Sequence, residues 1–320
     1  MLPATAPRAQ VRPAVRIARI QGINFLPTYL MQRRHLVEAH AERLGLPGAQ
    51  AEWIDFSGGG NATDAMLAGA VDVVDAGPGN MLLLWDRTRG GVKGIVSNSA
   101  LPATLVSRDP RLKAITDYGP EDRIAVPTVL VSTQAILLQI AAERAYGAGQ
   151  WRQLNANAVQ LGHGDAYGAM MNPSHEVRSH FASPPFITRE LQSVPGAHVV
   201  ASSAGILGSP LSTAVMFTTT RFADQQPVLV KAIAAASTEA VATIRTDPEQ
   251  AARDYLDASN DRIPHAELVA LLGSSDMVFD VKPEGTLRFA EFLSRTGTLR
   301  TRPKAWTDYF LPDAAALGGS

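Results

Sequence analysis

Leu161–Phe186, LGHGDAYGAMMNPSHEVRSHFASPPF, decides the architecture. It reads as an apolar strand end, a turn, a short helix opened by Asp165, and a second strand over Glu176–Phe181 that runs into Ser183-Pro184-Pro185-Phe186. Neither proline can donate a backbone hydrogen bond, so the pair cannot continue a sheet ladder. The chain must leave the sheet at the carboxyl end of that strand, the edge at which open α/β sheets bind their ligands.

The same unit recurs on both sides of this stretch. Toward the N-terminus, Val15–Ile20 reads as a strand, Gln21-Gly22-Ile23-Asn24 as a turn, and Pro27–Leu44 as one helix stopped by Gly45, Pro47 and Gly48. Ala51–Phe56 is a strand followed by Ser57-Gly58-Gly59-Gly60-Asn61 and a helix through Ala68, with Gly69 as its C-terminal cap. Val71–Asp75 is a strand, Ala76-Gly77-Pro78-Gly79-Asn80 its loop, and the next helix begins near Met81. Further on, Arg123–Pro127, Ala158–Leu161 and Ala197–Ser202 read as strands and Ser132–Tyr146 as a helix. Strands alternating with helices predict an α/β fold of mostly parallel sheets flanked by helices.

Two extended stretches, GIVSNSALPATLVS over Gly94–Ser107 and PLSTAVMFTTT over Pro210–Thr220, read as crossings between two lobes. From Arg221 the chain turns helical, over Pro227–Thr246, Pro248–Ala258, Pro264–Leu272 and Pro283–Ser294, each beginning near a proline, as a first helical turn allows. The expected division is a disordered 1–13, a first lobe of 14–98 and 212–320 carrying the C-terminal helices, and a second lobe of 99–211, with a ligand cleft between the lobes.

A length of 320 residues is consistent with two such lobes, and 46% apolar against 18% charged residues is enough to build a core in each. The net charge of -1 argues against a nucleic-acid binder, which needs a basic face. With no cysteine there is no disulfide, thiolate nucleophile, cysteine–zinc site or iron–sulfur cluster. No segment has the run of about 18 apolar residues that marks a membrane span. The opening MLPATAPRAQVRPAVRIARI is small, proline-rich and basic, without the apolar centre of a signal peptide.

Catalytic motifs are missing. There is no GxxxxGK[ST], HExxH or GxSxG, and Gly77-Pro78-Gly79 lacks the third glycine of a dinucleotide fingerprint. His35 and His40 are five apart, which misaligns them on a helix face, and no catalytic residue or metal ligand is nominated. What the chain offers instead is helix N-termini, whose unpaired N–H groups and positive dipole end hold anions. Four loops qualify: Gln21, Gly22 and Asn24; Ser57, Gly58 and Gly59; Gly77, Pro78 and Gly79; Ser132 and Thr133. Glycine lets a ligand approach the backbone, and the hydroxyls both donate and accept.

Asn98 and Ser99, on the first crossing, are further candidates, as are Ser183, Pro184 and Phe186 on the second lobe; Phe186 reads equally as core. His163 and His180, near strand ends, read as hydrogen-bonded structural residues, and Asp165 as an N-cap. Asp72 and Asp75 are candidates for a carboxylate pair on one strand face. With no arginine on these loops, helix ends would supply any anion binding, which suits a monoanion or neutral polar aromatic better than a phosphate dianion.

From Val15 onward the chain resembles the type II periplasmic binding proteins, and among them solute-binding proteins of the nitrate/sulfonate/taurine ABC importers. Leu67-Ala68-Gly69-Ala70-Val71-Asp72 is similar to their leucine-small-glycine-x-x-aspartate turn. Ser97–Pro102, Val131–Ala135, His163–Asp165, His180–Phe186 and Trp306–Phe310 look like segments of one subgroup, with Gly164 standing where proline is expected. The resemblance implies capture of a small organic anion by hinge closure, a structural role for Asp72, a membrane ABC permease as partner, no cofactor and no nucleic acid, a monomer, and an extracytoplasmic protein whose signal peptide has been trimmed. Enzymes on the same fold are the alternative. The pyrimidine synthases of thiamine biosynthesis look similar, but their cysteine-rich segment cannot exist here, and enzymes of an alternative menaquinone route share the fold. A transcription-regulator sensor domain fits less well, because no basic helix-turn-helix is read before Val15.

Overall fold

Apolar runs closed by glycine turns build two five-stranded sheets in the computed structural model, which describes residues 13–320. The first sheet begins with β1 (Ala14–Ile20), β2 (Gln50–Phe56), β3 (Val73–Ala76) and β4 (Val92–Ser99). The second holds β5 (Thr104–Ser107), β6 (Arg123–Val126), β7 (Ala158–Gln160), β8 (Val177–Ala182) and β9 (His198–Ser202) in the order β7-β6-β8-β5-β9. β10 (Ala214–Thr219) returns to the first sheet and inserts antiparallel between β3 and β4, completing the order β2-β1-β3-β10-β4. In each sheet three strands run parallel, β1 with β2 and β3, and β6 with β7 and β8.

Those connections are α1 (Leu26–Arg33), α2 (Leu36–Arg43), α3 (Gly59–Leu67) and α4 (Pro78–Arg87) around the first sheet, and α5 (Thr133–Tyr146), α6 (His163–Met171), α7 (Phe186–Ser193) and α8 (Ser203–Leu207) around the second. The tail adds α9 (Thr220–Gln225), α10 (Pro227–Thr246), α11 (Pro248–Ala258), α12 (His265–Leu272) and α13 (Thr286–Arg295). Of these, α10 packs on α1, α2 and β4, and α11 packs on α1.

The structure moves several predicted boundaries. The single helix over Pro27–Leu44 is two, because His35 takes a left-handed φ of 51°. The bend lets α1 bury Leu26, Leu30 and Met31 while α2 turns Leu36, Val37 and Ala41 inward, and burial of both faces outweighs the one strained residue. α4 starts at Pro78, not near Met81, with its proline in the first turn. α13 starts at Thr286, because Gly285 holds a φ of 65°. Asp165 lies in the first turn of α6, but Gly162 is the N-cap and no side chain caps that end. The reading of 1–13 as disordered lies outside the described residues, except that the Pro13 carbonyl accepts the Gln50 N–H at 2.9 Å.

The two crossings run side by side. Thr213 N–H bonds the Ser99 carbonyl at 2.7 Å, Ser97 Oγ donates to Ser212 Oγ at 2.9 Å, and Thr213 Oγ1 accepts Leu101 N–H at 2.9 Å. Behind them, α4 meets α5 closely enough that a Cβ on Gly77 would sit 2.9 Å from Thr133 Oγ1, and one on Gly79 would sit 3.2 Å from the Val131 carbonyl. A single apolar cluster accordingly runs from Val74, Leu82 and Phe217 to Val126, Leu137 and Phe181.

Beside the crossings lies a buried carboxyl. Asn98 Nδ2 donates to Asp75 Oδ2 at 2.6 Å, Ser237 Oγ donates to Asn98 Oδ1, and Asp75 Oδ1 has no partner among the described residues. Burial pushes the Asp75 pKa up to about 7, with the Asn98 hydrogen bond opposing. Between the ordinary aspartate range and pH 7 the folded protein therefore holds a proton that the unfolded chain has released, so stability falls as pH rises through that window. The roughly three-unit shift corresponds to a loss of roughly 4 kcal/mol. Urea unfolding at intervals from pH 4 to 8 is expected to show Asp75→Asn flattening most of that fall; an equal fall in both proteins would mean Asp75 is ionised in the fold.

Candidate ligand cleft

A cleft of about 550 Å³ opens between the sheets. It lies at the carboxyl ends of β1, β2 and β3 on one side and of β6, β7 and β8 on the other, as the strand–loop–helix pattern requires. From the first sheet, the expected Gln21, Gly22, Asn24, Ser57, Gly58, Gly59 and Gly77 line it. Ser132, Thr133, Ser183, Pro184 and Phe186 line it from the second.

Four expected residues do not reach it. Pro78 and Gly79 are buried in the first turn of α4, where Gly79 sits against Val131 and Ile136 of the α5 side. Asn98 and Ser99 are fully buried in the crossing, Asn98 between Asp75 and Ser237 and Ser99 against Thr213. Nor do Asp72 and Asp75 form a pair. They are three residues apart, and Asp72 takes Arg16 in a two-point ion pair at 2.7 and 3.0 Å while Asp75 faces Asn98.

Several lining residues were not foreseen. Thr213, Asn260, Asp261 and Arg262 join from the first sheet and its tail, and Gln134 and His163 from the second, while Asn80 lines the cleft from the end of the expected Ala76–Asn80 loop. Arg262 corrects the expectation that no arginine serves the cleft. It lies in the α11–α12 loop, is exposed, and makes no side-chain hydrogen bond or ion pair among the described residues. Asp261 beside it is committed, accepting Tyr255 O–H at 2.9 Å and Ile263 N–H at 3.0 Å. Among the described residues the cleft thus presents one unspent cation to a ligand. Asn24 adds a buried amide oxygen with no partner among the described residues.

On the second wall the Ser132 hydroxyl accepts Ala135 N–H at 3.2 Å and so caps α5, which leaves its own hydrogen free to donate into the cleft. Gln134 Nε2 donates to Ser183 Oγ at 2.9 Å, holding the residue that precedes the Pro184–Pro185 bend. Phe186 stacks on His163 with ring centroids 5.8 Å apart and planes 23° apart, so the bend presents an aromatic surface.

Behind that stack runs a chain of titratable groups. His163 Nδ1 lies 2.8 Å from His180 Nε2, and His180 Nδ1 lies 2.5 Å from Glu190 Oε1. His180 and Glu190 are both fully buried. Burial pulls both imidazoles well below the ordinary histidine range, His180 adding repulsion at His163, and burial pushes the Glu190 carboxyl up. Among the described residues no group of three His, Asp or Glu side chains is placed to hold a metal.

The chemistry available is recognition of a small anion: helix N-termini and Arg262 for its charge, and the Phe186–His163 stack for an apolar portion.

No family model and no curated protein matches the chain. Solved structures do. The alkanesulfonate-binding protein SsuA from Xanthomonas axonopodis pv. citri, bound to MOPS, aligns with a TM-score of 0.71 at 16% identity over 94% of this chain and 99% of its own. The periplasmic aliphatic sulphonate binding protein SsuA from Escherichia coli gives 0.70 at 15% over 93% and 92%. The periplasmic nitrate-binding protein NrtA from Synechocystis PCC 6803 gives 0.64 at 11% over 97% and 86%. The chain therefore has the two-lobed fold of the periplasmic binding proteins.

Because Ser132 already caps α5, Ser132→Ala is expected to cost the fold about 1 kcal/mol. Denaturant unfolding without ligand measures this, and an unchanged midpoint would mean the cap contributes nothing.

Proposed function

We propose that this chain is the extracytoplasmic substrate-binding protein of an ABC importer, capturing a small organic anion of the sulfonate, taurine, nitrate or aromatic-acid kind by hinge closure. In this reading 14–98 with 212–320 form one lobe and 99–211 the other, the protein acts as a monomer, and its closed form docks on a membrane permease. The observation that carries the proposal is the convergence on one cleft of loops from both sheets, with helix N-termini on either side and the unspent guanidinium of Arg262 at the rim. The sulfonate- and nitrate-binding neighbours supply the precedent for oxyanions on this fold.

The two crossings are the hinge of this reading, since they link the sheets through only short strand-free segments between Ser99 and Thr104 and between Leu207 and Ala214. Across the cleft mouth, Arg189 Nε on α7 meets Glu267 Oε1 on α12 at 3.0 Å, a contact that opening must break. The second reading is an enzyme on this fold, acting on a pyrimidine or menaquinone-pathway intermediate. It is favoured by the His163–His180–Glu190 chain, whose outer imidazole faces the cleft. Product formation from a cell extract that is lost on changing His163 would support it.

Thermal shift on ligand-stripped protein against ethanesulfonate, taurine, nitrate, benzoate and pyrimidines tests the binding role. A ligand at 100 times its dissociation constant adds about 2.7 kcal/mol. Arg262→Gln is expected to weaken the bound anion roughly ten- to hundredfold, the range for a charge-assisted hydrogen bond, and unchanged affinity would remove Arg262 from the site. Arg189→Ala is expected to lose under about 1 kcal/mol of closure energy. Small-angle scattering would then show a larger radius of gyration without ligand and the wild-type value at saturation; no ligand-dependent change in either protein would contradict hinge closure.

A further inference from the structure

The Glu190–His180–His163 chain has a definite polarity, and that polarity sets what the cleft accepts. Each side chain in it uses one atom toward the next, so one proton fixes the direction of every bond. With Glu190 protonated, its O–H donates to His180 Nδ1, His180 Nε2–H donates to His163 Nδ1, and His163 Nε2 carries a hydrogen that it offers to the cleft. With Glu190 ionised and both imidazoles neutral, every bond reverses. His180 Nδ1–H then donates to the carboxylate, His163 Nδ1–H donates to His180, and His163 Nε2 presents a lone pair.

Two observations favour the first arrangement. His180 and Glu190 have no exposed side-chain surface, and Glu190 Oε2 has no partner among the described residues, which a neutral carboxyl tolerates far better than a carboxylate. Among the described residues no neighbouring charge stabilises an ion there. α6 brings Asp165 and Tyr167; on α7, Arg189 is taken by Glu267; on β8, Arg178 is taken by Asp109; β6 carries Arg123, whose guanidinium bonds the Pro120 carbonyl; β5 carries no titratable group; and on α5, Glu143 is taken by Arg295 while Arg144 bonds the Gly205 carbonyl. Burial, with no resolved charge partner, accounts for the raised pKa of Glu190. His163 Nε2 and Gln134 Nε2 lie 3.5 Å apart on the cleft wall; the amide nitrogen only donates, so without a ligand this long contact is satisfied by the second arrangement, and in the first the two N–H groups need an acceptor oxygen from the ligand to take both.

We propose that His163 is a ligand-reading residue of the cleft, that Glu190 and His180 are positioning residues that make its Nε2 atom a donor, and that the site therefore selects a ligand whose oxyanion accepts from His163 and Gln134. This rests on the binding reading above and deepens it. The carboxyl proton travels with the anion: loss of that proton turns the donor into a lone pair facing the ligand charge, and the anion leaves. The carboxyl itself never touches the ligand.

The chain can be read without any ligand. Long-range proton–nitrogen NMR on histidine-labelled protein reports the tautomer of each ring. Below about pH 8, the value to which burial pushes Glu190, both His163 and His180 are expected to carry hydrogen on Nε2; above it both shift to Nδ1. Glu190→Gln removes the titrating proton, its amide being able to donate to His180 Nδ1 or accept from it, and is expected to keep one tautomer of each ring unchanged to pH 10. Two imidazoles carrying Nδ1 hydrogen at pH 7, or a doubly protonated ring there, would overturn the assignment. Calorimetry with ethanesulfonate and benzoate supplies the second arm. Wild-type affinity is expected to fall about tenfold per pH unit above 8, while Glu190→Gln holds constant and His163→Phe is weakened at every pH. The tautomer change without that affinity loss would overturn the ligand-reading role. The tautomer change with no binding of either anion at any pH would sustain the polarity of the chain and count against the binding function.

Discussion

The hydroxyl-stitched pair of crossings is the constraint on which the rest of the molecule depends. Ser97 with Ser212 and Ser99 with Thr213 tie the outgoing segment to the returning one, and the Ser99 carbonyl takes the Thr213 N–H. Because β10 re-enters antiparallel beside β4, the chain that leaves the first sheet comes back into it at the neighbouring position. The sheets are therefore held with the carboxyl ends of their parallel strands toward a common space. Close approach of α4 to α5, allowed by Gly77 and Gly79, closes the back of that space. A cleft in this place follows from connectivity and two small residues before any ligand-contacting side chain is considered.

The walls of the cleft are polar groups with capacity to spare. Ser132 accepts a cap bond and keeps its hydrogen, Asn24 keeps a carbonyl oxygen, and Arg262 keeps its whole fork. Asp261, by contrast, accepts from Tyr255 and Ile263 and makes no ion pair with the arginine next to it among the described residues. The unpaired guanidinium and the helix N-termini at the strand ends favour a negative charge, and the Asn24 oxygen and the Asp261 carboxylate limit how much of it the surface takes.

Much of this was legible in the chain, and the reason is locality. A strand followed by Gly22, Gly58, Gly77 or Ser132 announces a β/α turn within a few residues, so these four loops of the cleft are visible as sequence. The double proline after β8 is equally local, and the helix starts at Pro227 and Pro248 agree with the sequence reading to the residue. What escaped is set by packing across long separations. Arg262 reaches the cleft only because α10 and α11 fold back on α1. The His163–His180 contact joins a helix start to a mid-strand position, and nothing in the spacing marks Glu190 as buried. The break at His35 leaves the apolar period intact and becomes visible only once α10 lies against α2. Asn98 was misplaced because a polar residue on a crossing reads as cleft-facing, whereas here it satisfies a buried carboxyl.

Charge accounting narrows the ligand further. A phosphate dianion at neutral pH calls for at least two cations or a dense nest of N–H groups to offset its desolvation. The described cleft brings one unspent guanidinium, helix ends that each act as about half a charge, and an aromatic stack. That set matches a single delocalised negative charge joined to a small apolar or aromatic body. The buried carboxyls at Asp75 and Glu190 fit the same economy, because burial raises their pKa values to about 7 and about 8 with no cation paired to either among the described residues. If Glu190 were ionised, its charge would reach the ligand through two polarisable rings and oppose the charge that Arg262 attracts. Keeping it protonated is thus a requirement of anion capture in this geometry, and the burial that looks costly for the fold is what meets it.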